Sequence, residues 1–373
     1  MHRAELARRA GVSRTTASSL VNDLLSRGVL HQSAIVPGQG VSATGFRGTG
    51  RSLIAVNPRA GVVAGLHHAP QSVQLHLADL AQEPILRTNL RWTPQGVARD
   101  SDHIAWMLGR AMETVRLPMR RLLAVGIGLE ESMNQIPLAG TSTPEPHATN
   151  IGPALSQRLG RSVVTEHSTR VQALAEYTWG AGQGAQHMLF VNVSSTISAA
   201  LICDGRLHRG FTGAAGALGH VSVSSAGPAC SCGSRGCLLQ VAGRPALLAA
   251  TRPLLGADAD IAEITAAAVA GDPGCLGTLA DSAAVVGRAL ANACNLLNPD
   301  VVVVGGDLAA VGDPFLEPLA NAIRRYAMKA VGARTEVMLA HFSPNAVASA
   351  AGSAALALQD IPHLVSGLVH TSL

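Results

Sequence analysis

Three of the six cysteines in this 373-residue chain, and one of its fourteen histidines, fall within eighteen residues of one another. They are His220, Cys230, Cys232 and Cys237, in the segment GHVSVSSAGPACSCGSRGC. One imidazole and three thiols are the ligands that tetrahedral zinc prefers, and a Cys3His set closes all four positions, which makes the site structural rather than catalytic. Gly233 and Gly236 let the backbone fold tightly around an ion. Three uncoordinated thiols in a glycine-rich loop would oxidise, so a metal accounts for them better than free cysteines do. Cys203, Cys275 and Cys294 stand singly in apolar sequence and are expected to be small core residues. Six cysteines in so long a chain are not a disulfide scaffold.

The second residue set that could do chemistry is basic. Residues 1–60 carry eight arginines against two acids, a net of +6, whereas the remainder has a net of −2. A basic head on a slightly acidic body is the asymmetry of a nucleic-acid-binding module joined to something else. Leu6, Ala7 and Ala10 put small apolar groups on one face of a short helix, which Gly11 interrupts. Ser13 is a good N-cap for a second helix, in which Ala17, Leu20, Val21, Leu24 and Leu25 form an apolar stripe. Its opposite face presents Thr15, Ser18, Ser19 and Asn22, with Arg14 at the N-terminal end, and Gly28 stops it. In a helix-turn-helix the second helix enters the major groove with its N-terminal residues on base edges, so Ser13, Arg14, Thr15, Ser18, Ser19 and Asn22 are the candidate DNA contacts. Strands at Ala34–Val36 and Leu53–Val56 flank a glycine-rich tip bearing Arg47 and Arg51, a wing that would lay arginines on phosphates or in the minor groove. A three-helix winged module needs a further helix to cover the backs of these two. Either about 15–30 residues rich in apolar positions precede Met1, or the head is a truncated module.

These residues must be positioned by a body with a large core, since hydrophobic residues make up 47% of the chain. Aromatics are only 3%, so Ala, Val, Leu and Ile must build that core. LLAVGIGL and VVVVGGDL are continuous apolar runs ending in glycine, as central strands of an α/β sheet do. Helical stretches such as VVGRALANACNLL lie between them. Alternating strands and helices over some 310 residues predict two α/β lobes with a cleft between them. The expected units are 1–60, 61–180 and 181–373, with TWGAGQGAQ as the boundary between lobes and the last helix returning to the first lobe. No apolar run approaches the ~18 residues that cross a bilayer, and Met1-His2-Arg3 opens no secretory segment. Membrane and secreted classes are excluded on these grounds, and a cytoplasmic, nucleoid-associated protein is expected.

A helix-turn-helix followed by an α/β body with H-x9-C-x-C-G-x-x-G-C resembles the ROK family (repressors, open reading frames, kinases) in its transcriptional-regulator branch. GAAGALGHVSV, CSCGSRGCL and LLNPDVVVVGG carry the resemblance most specifically. It implies a two-lobed actin/hexokinase-like (ribonuclease H-like) body, usually dimeric or tetrameric, that binds a hexose between the lobes. In the family's kinases, glycine-rich turns hold ATP-Mg and an aspartate deprotonates the sugar hydroxyl. This chain departs from that pattern. The first phosphate turn, D-x-G-G-T in the family, aligns with HHAPQ at 67–71, and the second, G-T-G-I-G, with SSTIS at 194–198. Pro70 supplies no N–H to a phosphate. The family's N-D pair falls on His167 and Ser168 within EHSTRVQALAE, and serine cannot take the proton that a carboxylate would. The glutamates of E-x-G-H and G-C-L-E are replaced by Ala217 and Leu239.

The expectation is therefore a DNA-binding transcriptional regulator, a repressor, and not an enzyme. Its degenerate sugar-kinase body would serve oligomerisation, as a homodimer or homotetramer, and sensing of a small-molecule effector. Its partner would be a double-stranded DNA operator, its cofactor structural zinc, and Glu166, His167 and Ser168 the residues lining a modified cleft. The rivals are a glucokinase-like ATP-dependent sugar kinase and a repressor controlled by protein docking alone.

Overall fold

The structure is a computed structural model that describes residues 2–33, 53–69, 72–91, 96–129, 146–342 and 345–359. The chain opens with helix α1 (Arg3–Arg9), a turn at Gly11 with φ +64°, and helix α2 (Arg14–Ser26). Ser13 caps α2, its Oγ accepting the N–H of Thr16 at 3.0 Å. Of the expected apolar stripe, Ala17 and Val21 are buried, as is Ala7 of α1. Leu20 is 53% exposed, Leu24 and Leu25 are half-buried, and Ala10 is exposed. The physical reason is length. A two-turn helix covers only part of the α2 face, which otherwise meets β1.

Strand β1 (Leu30–Ser33) pairs antiparallel with β2 (Leu53–Val56), Leu30 opposite Val56 and Ser33 opposite Leu53. The strand expected at Ala34–Val36 and the tip with Arg47 and Arg51 lie outside the described residues. Asn57 anchors the base of the ribbon, its side-chain amide donating to the Gly28 carbonyl at 2.7 Å. Arg121 donates to the Ala60 carbonyl at 3.1 Å, tying this exit to the body.

The body repeats one topology twice. The first sheet contains β3 (Val62–Ala69), β4 (Ser72–Asp79), β5 (Pro84–Arg91), β6 (Leu122–Leu129) and β7 (Ser162–His167) in the order β5-β4-β3-β6-β7. The second contains β8 (Met188–Val193), β9 (Ile197–Cys203), β10 (Arg206–His208), β11 (Val301–Gly305) and β12 (Glu336–Leu339) in the order β10-β9-β8-β11-β12. In each, three antiparallel strands are followed by two parallel ones. Parallel strands need helical crossovers. These are α3 (Val97–Thr114) and α4 (Pro146–Leu159) in the first lobe. In the second, a run from α6 (Leu238–Ala242) through α7 (Arg244–Leu255), α8 (Ile261–Val269) and α9 (Pro273–Leu297) precedes β11. Helices α10 (Asp313–Tyr326) and α11 (Lys329–Gly332) precede β12.

Helices α3 and α4 bury Ile104, Leu108, Met112, Ile151 and Leu155 against one face of the first sheet. Helices α9 and α10 bury Leu290, Phe315, Leu319 and Ile323 in the second lobe, where Cys275 and Cys294 are also core residues. Cys203 is half-buried. Between the sheets, α5 (Ser168–Trp179) packs Val171 and Leu174 with Phe190, Val303 and Leu356. The chain then crosses back from β12 into α12 (Asn345–Gln359), which lies on β3, β4 and β6 of the first sheet. Close approach explains its Ala/Ser/Gly composition. A Cβ on Gly126 would overlap the Ser353 carbonyl, and one on Gly65 the backbone at Ala350 and Ala354. Glu176, fully buried at the end of α5, holds this crossover. Its carboxylate accepts the N–H groups of Ala181 at 2.9 Å, His341 at 3.0 Å and Phe342 at 2.8 Å.

Candidate functional site

His220 ends a one-turn 3-10 helix, Leu218–His220, at the close of the loop that follows β10. Cys237 is the N-cap of α6. The intervening segment doubles back through bridges Ser222–Cys237 and Ala229–Arg235. Gly236 has φ +62°, and a Cβ there would overlap the Ser224 carbonyl, so only glycine fits the turn that returns Cys237 to His220. The sequence-predicted quartet therefore converges: the ligand atoms of His220, Cys230, Cys232 and Cys237 all lie within 4.8 Å of one another. His220 Nδ1 and Cys230 Sγ are 3.6 Å apart, as are the Cys232 and Cys237 sulfurs. Tetrahedral zinc at ~2.3 Å from sulfur would require edges of about 3.8 Å between sulfurs, so the donor set fits the ion. The thiols compete for protons. A hydrogen bond from the Cys232 N–H, supported by the neighbouring thiols and His220, holds Cys230 down to about 6 against the effect of burial. Burial and the adjoining sulfurs push Cys237 up to about 11.

The cleft candidates meet at the junction of β7 and α5. His167 caps α5, its Nδ1 accepting the Thr169 N–H at 3.2 Å, and Ser168 is the first, buried residue of the helix. Glu166 does more than line the cleft. Its Oε1 accepts from Arg170 Nη1 at 2.9 Å and from the His167 N–H at 2.9 Å, and its Oε2 from Arg209 Nε at 2.6 Å. Arg170 also donates to the carbonyls of Gly213 and Ala215, in the loop that leads to His220. This triad joins the first lobe to the second. Burial raises the Glu166 carboxyl, but the His167 N–H, Arg209 and Arg170 outweigh it and hold it below the usual carboxylate range. Arg170 and Arg209 were not among the sequence candidates. The Glu166/Arg170 spacing of i,i+4 was the available signal, whereas Arg209 lies 43 residues from Glu166 and had none.

Where phosphate turns would be expected, His67 is buried on β3 and Pro70 and Gln71 lie outside the described residues. At the β8–β9 turn, Ser194 Oγ accepts the Asp307 N–H at 2.9 Å, and Thr169 and Ser198 share a hydroxyl contact of 2.7 Å. Ala217 and Leu239 are half-buried, and Leu239 packs against the second-lobe core. A cavity of about 670 Å3 opens beside β11 and α8, lined by Ile261, Thr265, Gly306, Asp307, Leu339 and Phe342 among others, with no lysine or arginine among the described residues of its wall. In the head, Arg14, Thr15, Ser19 and Asn22 are exposed and Ser18 is half-buried, while the Ser13 hydroxyl is taken up by capping.

The ROK family model matches residues 71–360. A putative xylose repressor from Caldicellulosiruptor sp. is 25% identical over 344 residues, covering 87% of this chain and 84% of that protein. A glucokinase from Halalkalibacterium halodurans is 31% identical over 216 residues, covering 52% of this chain and 66% of its own. Among solved structures, a ROK family transcriptional regulator described as a homologue of the E. coli MLC protein superposes with a TM-score of 0.78 at 20% identity, over 99% of this chain and 95% of that one. The xylose-repressor match covers 87% of this chain, whereas the glucokinase match covers only about half of it. The two five-stranded sheets have the α/β architecture of the actin-like sugar kinases, and the chain belongs to the ROK family.

Proposed function

We propose that this protein is a DNA-binding transcriptional regulator, acting as a repressor, whose kinase-like body has lost phosphoryl transfer. The observation that carries this is the exposed face of α2. A capped helix presents Arg14, Thr15, Ser19 and Asn22, with Ser18 at its edge, in a head of net charge +6. Short polar side chains and a guanidinium at a helix N-terminus suit base edges in the major groove. Arg47 and Arg51, outside the described residues, are proposed to contact phosphates or the minor groove. We assign residues 1–60 to the DNA-binding unit, 61–180 to the first lobe and 181–373 to the second, with α12 returning to the first.

The body serves assembly, as a homodimer or homotetramer, and effector sensing. Zinc on His220, Cys230, Cys232 and Cys237 is structural: it would hold the loop between β10 and α6, and its closed ligand set leaves no position for a substrate. Serine at 168 leaves no base for a sugar hydroxyl, which argues against the kinase alternative despite the second-lobe cavity. A regulator that acts on operators belongs in the cytoplasm, at the nucleoid. Capture of genomic DNA fragments by the purified full chain tests the proposal. Discrete enriched sites, with affinity falling steeply as salt rises, are expected. ATP-dependent phosphorylation of a sugar, with no selected DNA, would overturn it.

A further inference from the structure

The Glu166–Arg170–Arg209 triad holds two guanidiniums against one carboxylate, a surplus of one positive charge where the two lobes meet. The Glu166 and Arg170 side chains are each 8% exposed and Arg209 is 47% exposed. Both terminal amino groups of Arg170 are engaged, one by Glu166 and the other by two backbone carbonyls. Those of Arg209 are not. Its Nε is fixed on Glu166, and neither of its terminal amino groups has a hydrogen-bond partner among the described residues. A guanidinium immobilised through Nε on a half-exposed side chain, with its end-on pair of amino groups unpartnered among the described residues, is a preformed fork for a planar oxyanion. The N-terminus of α5, a twelve-residue helix, begins two residues after Glu166 and places a positive dipole end beside the triad.

We propose that the terminal edge of Arg209, beside the Ser168 end of α5, binds the carboxylate of a small acidic molecule, which is the effector of this regulator. One surplus charge matches a monoanion, so a carboxylate is favoured over a dianionic phosphate monoester. The occupant balances the triad at two cations and two anions. Because Glu166 and Arg170 belong to the first lobe and Arg209 to the second, it fastens the lobes to each other. Arg170 also grips the carbonyls of Gly213 and Ala215, so this tightening is passed to the segment that runs on to His220. The effector role rests on the regulator reading above; the carboxylate site does not.

Calorimetry on the full chain without DNA tests the site, at constant ionic strength, with D-glucuronate, D-gluconate and benzoate as probes and glucose and glucose 6-phosphate as controls. At least one carboxylate is expected to bind, glucose is not, and glucose 6-phosphate is expected to bind more weakly than glucuronate. Arg209→Gln, at a half-exposed position, is expected to weaken carboxylate binding at least tenfold with the thermal midpoint of the ligand-free protein little changed. Glu166→Gln, if it folds, is expected to tighten binding, because it removes the competing anion. The proposal is overturned if no carboxylate binds more tightly than about 10 mM, if Arg209→Gln leaves affinity unchanged, or if the phosphate binds more tightly than the carboxylates. Carboxylate binding by a chain that selects no DNA would overturn the regulator instead and leave the site standing.

Discussion

Replacing Glu176 by glutamine should loosen the crossover between the lobes, and the structure sets the size of the effect. The buried carboxylate accepts two N–H groups on Oε2, from Ala181 and His341, and one on Oε1, from Phe342. Glutamine has one acceptor oxygen. Seated to serve Ala181 and His341, it turns its NH2 toward the Phe342 N–H, donor against donor. One charge-assisted bond, worth about 1.5–3 kcal/mol, is lost, and the other two fall to neutral strength, costing about 1 kcal/mol each. The total is about 3–5 kcal/mol. With an unfolding entropy of about 2.1 cal/mol/K per residue, this corresponds to a fall in thermal midpoint of about 4–6 °C for the whole chain. Calorimetric melting reads the global effect. Hydrogen exchange reads the local one: the Phe342 amide, left facing a donor, should lose at least about a hundredfold of its protection. A midpoint within about 1 °C of the parent, with Phe342 protection unchanged, would refute the role assigned to Glu176.

Protein purified without chelator should carry about one zinc per chain, and Cys230→Ser or Cys237→Ser should release it and disorder the loop around Gly233, read by elemental analysis and hydrogen exchange; no stoichiometric metal would refute the assignment. The Glu166 carboxyl is held below its unfolded value, so the stability it contributes is present above the ordinary carboxylate range and is lost as pH falls through the lowered folded value. Thermal midpoints measured from pH 7 downward should therefore fall less steeply in Glu166→Gln than in the parent. Glucose, N-acetylglucosamine and xylose should show no micromolar binding, since Ser168, Ala217 and Leu239 offer no carboxylate to a sugar hydroxyl and each such bond is worth about 1.5–3 kcal/mol; a micromolar hexose complex would contradict this.

The convergence of His220, Cys230, Cys232 and Cys237 was legible because the four lie in one short stretch and glycine spacing governs how such a loop closes. The central strands were legible as continuous apolar runs, since β6 and β11 are covered on both faces. The duplicated sheet order was not, because equivalent strands share a position but no residue pattern: β3 reads VVAGLHHA where β8 reads MLFVNV. Nor was the interlobe triad, which depends on the loop after β10 coming back to the end of β7. The role of Glu176 was not legible either, because three backbone donors leave no mark in the sequence. In α2 the helical period located the apolar face correctly, but period alone cannot say how much of that face a neighbour covers, and Leu20 is exposed.

The head is proposed to read DNA sequence through α2, and mapping bound DNA across the genome with matched variants tests that most directly. The parent chain should occupy discrete sites that share a motif. Arg14→Ala and Asn22→Ala should each lose about 1–3 kcal/mol of preference for that motif while retaining salt-dependent association with DNA in general. Arg47→Ala and Arg51→Ala should weaken all sites alike. An identical profile for Arg14→Ala and Asn22→Ala, or one unchanged by removal of residues 1–60, would contradict the account.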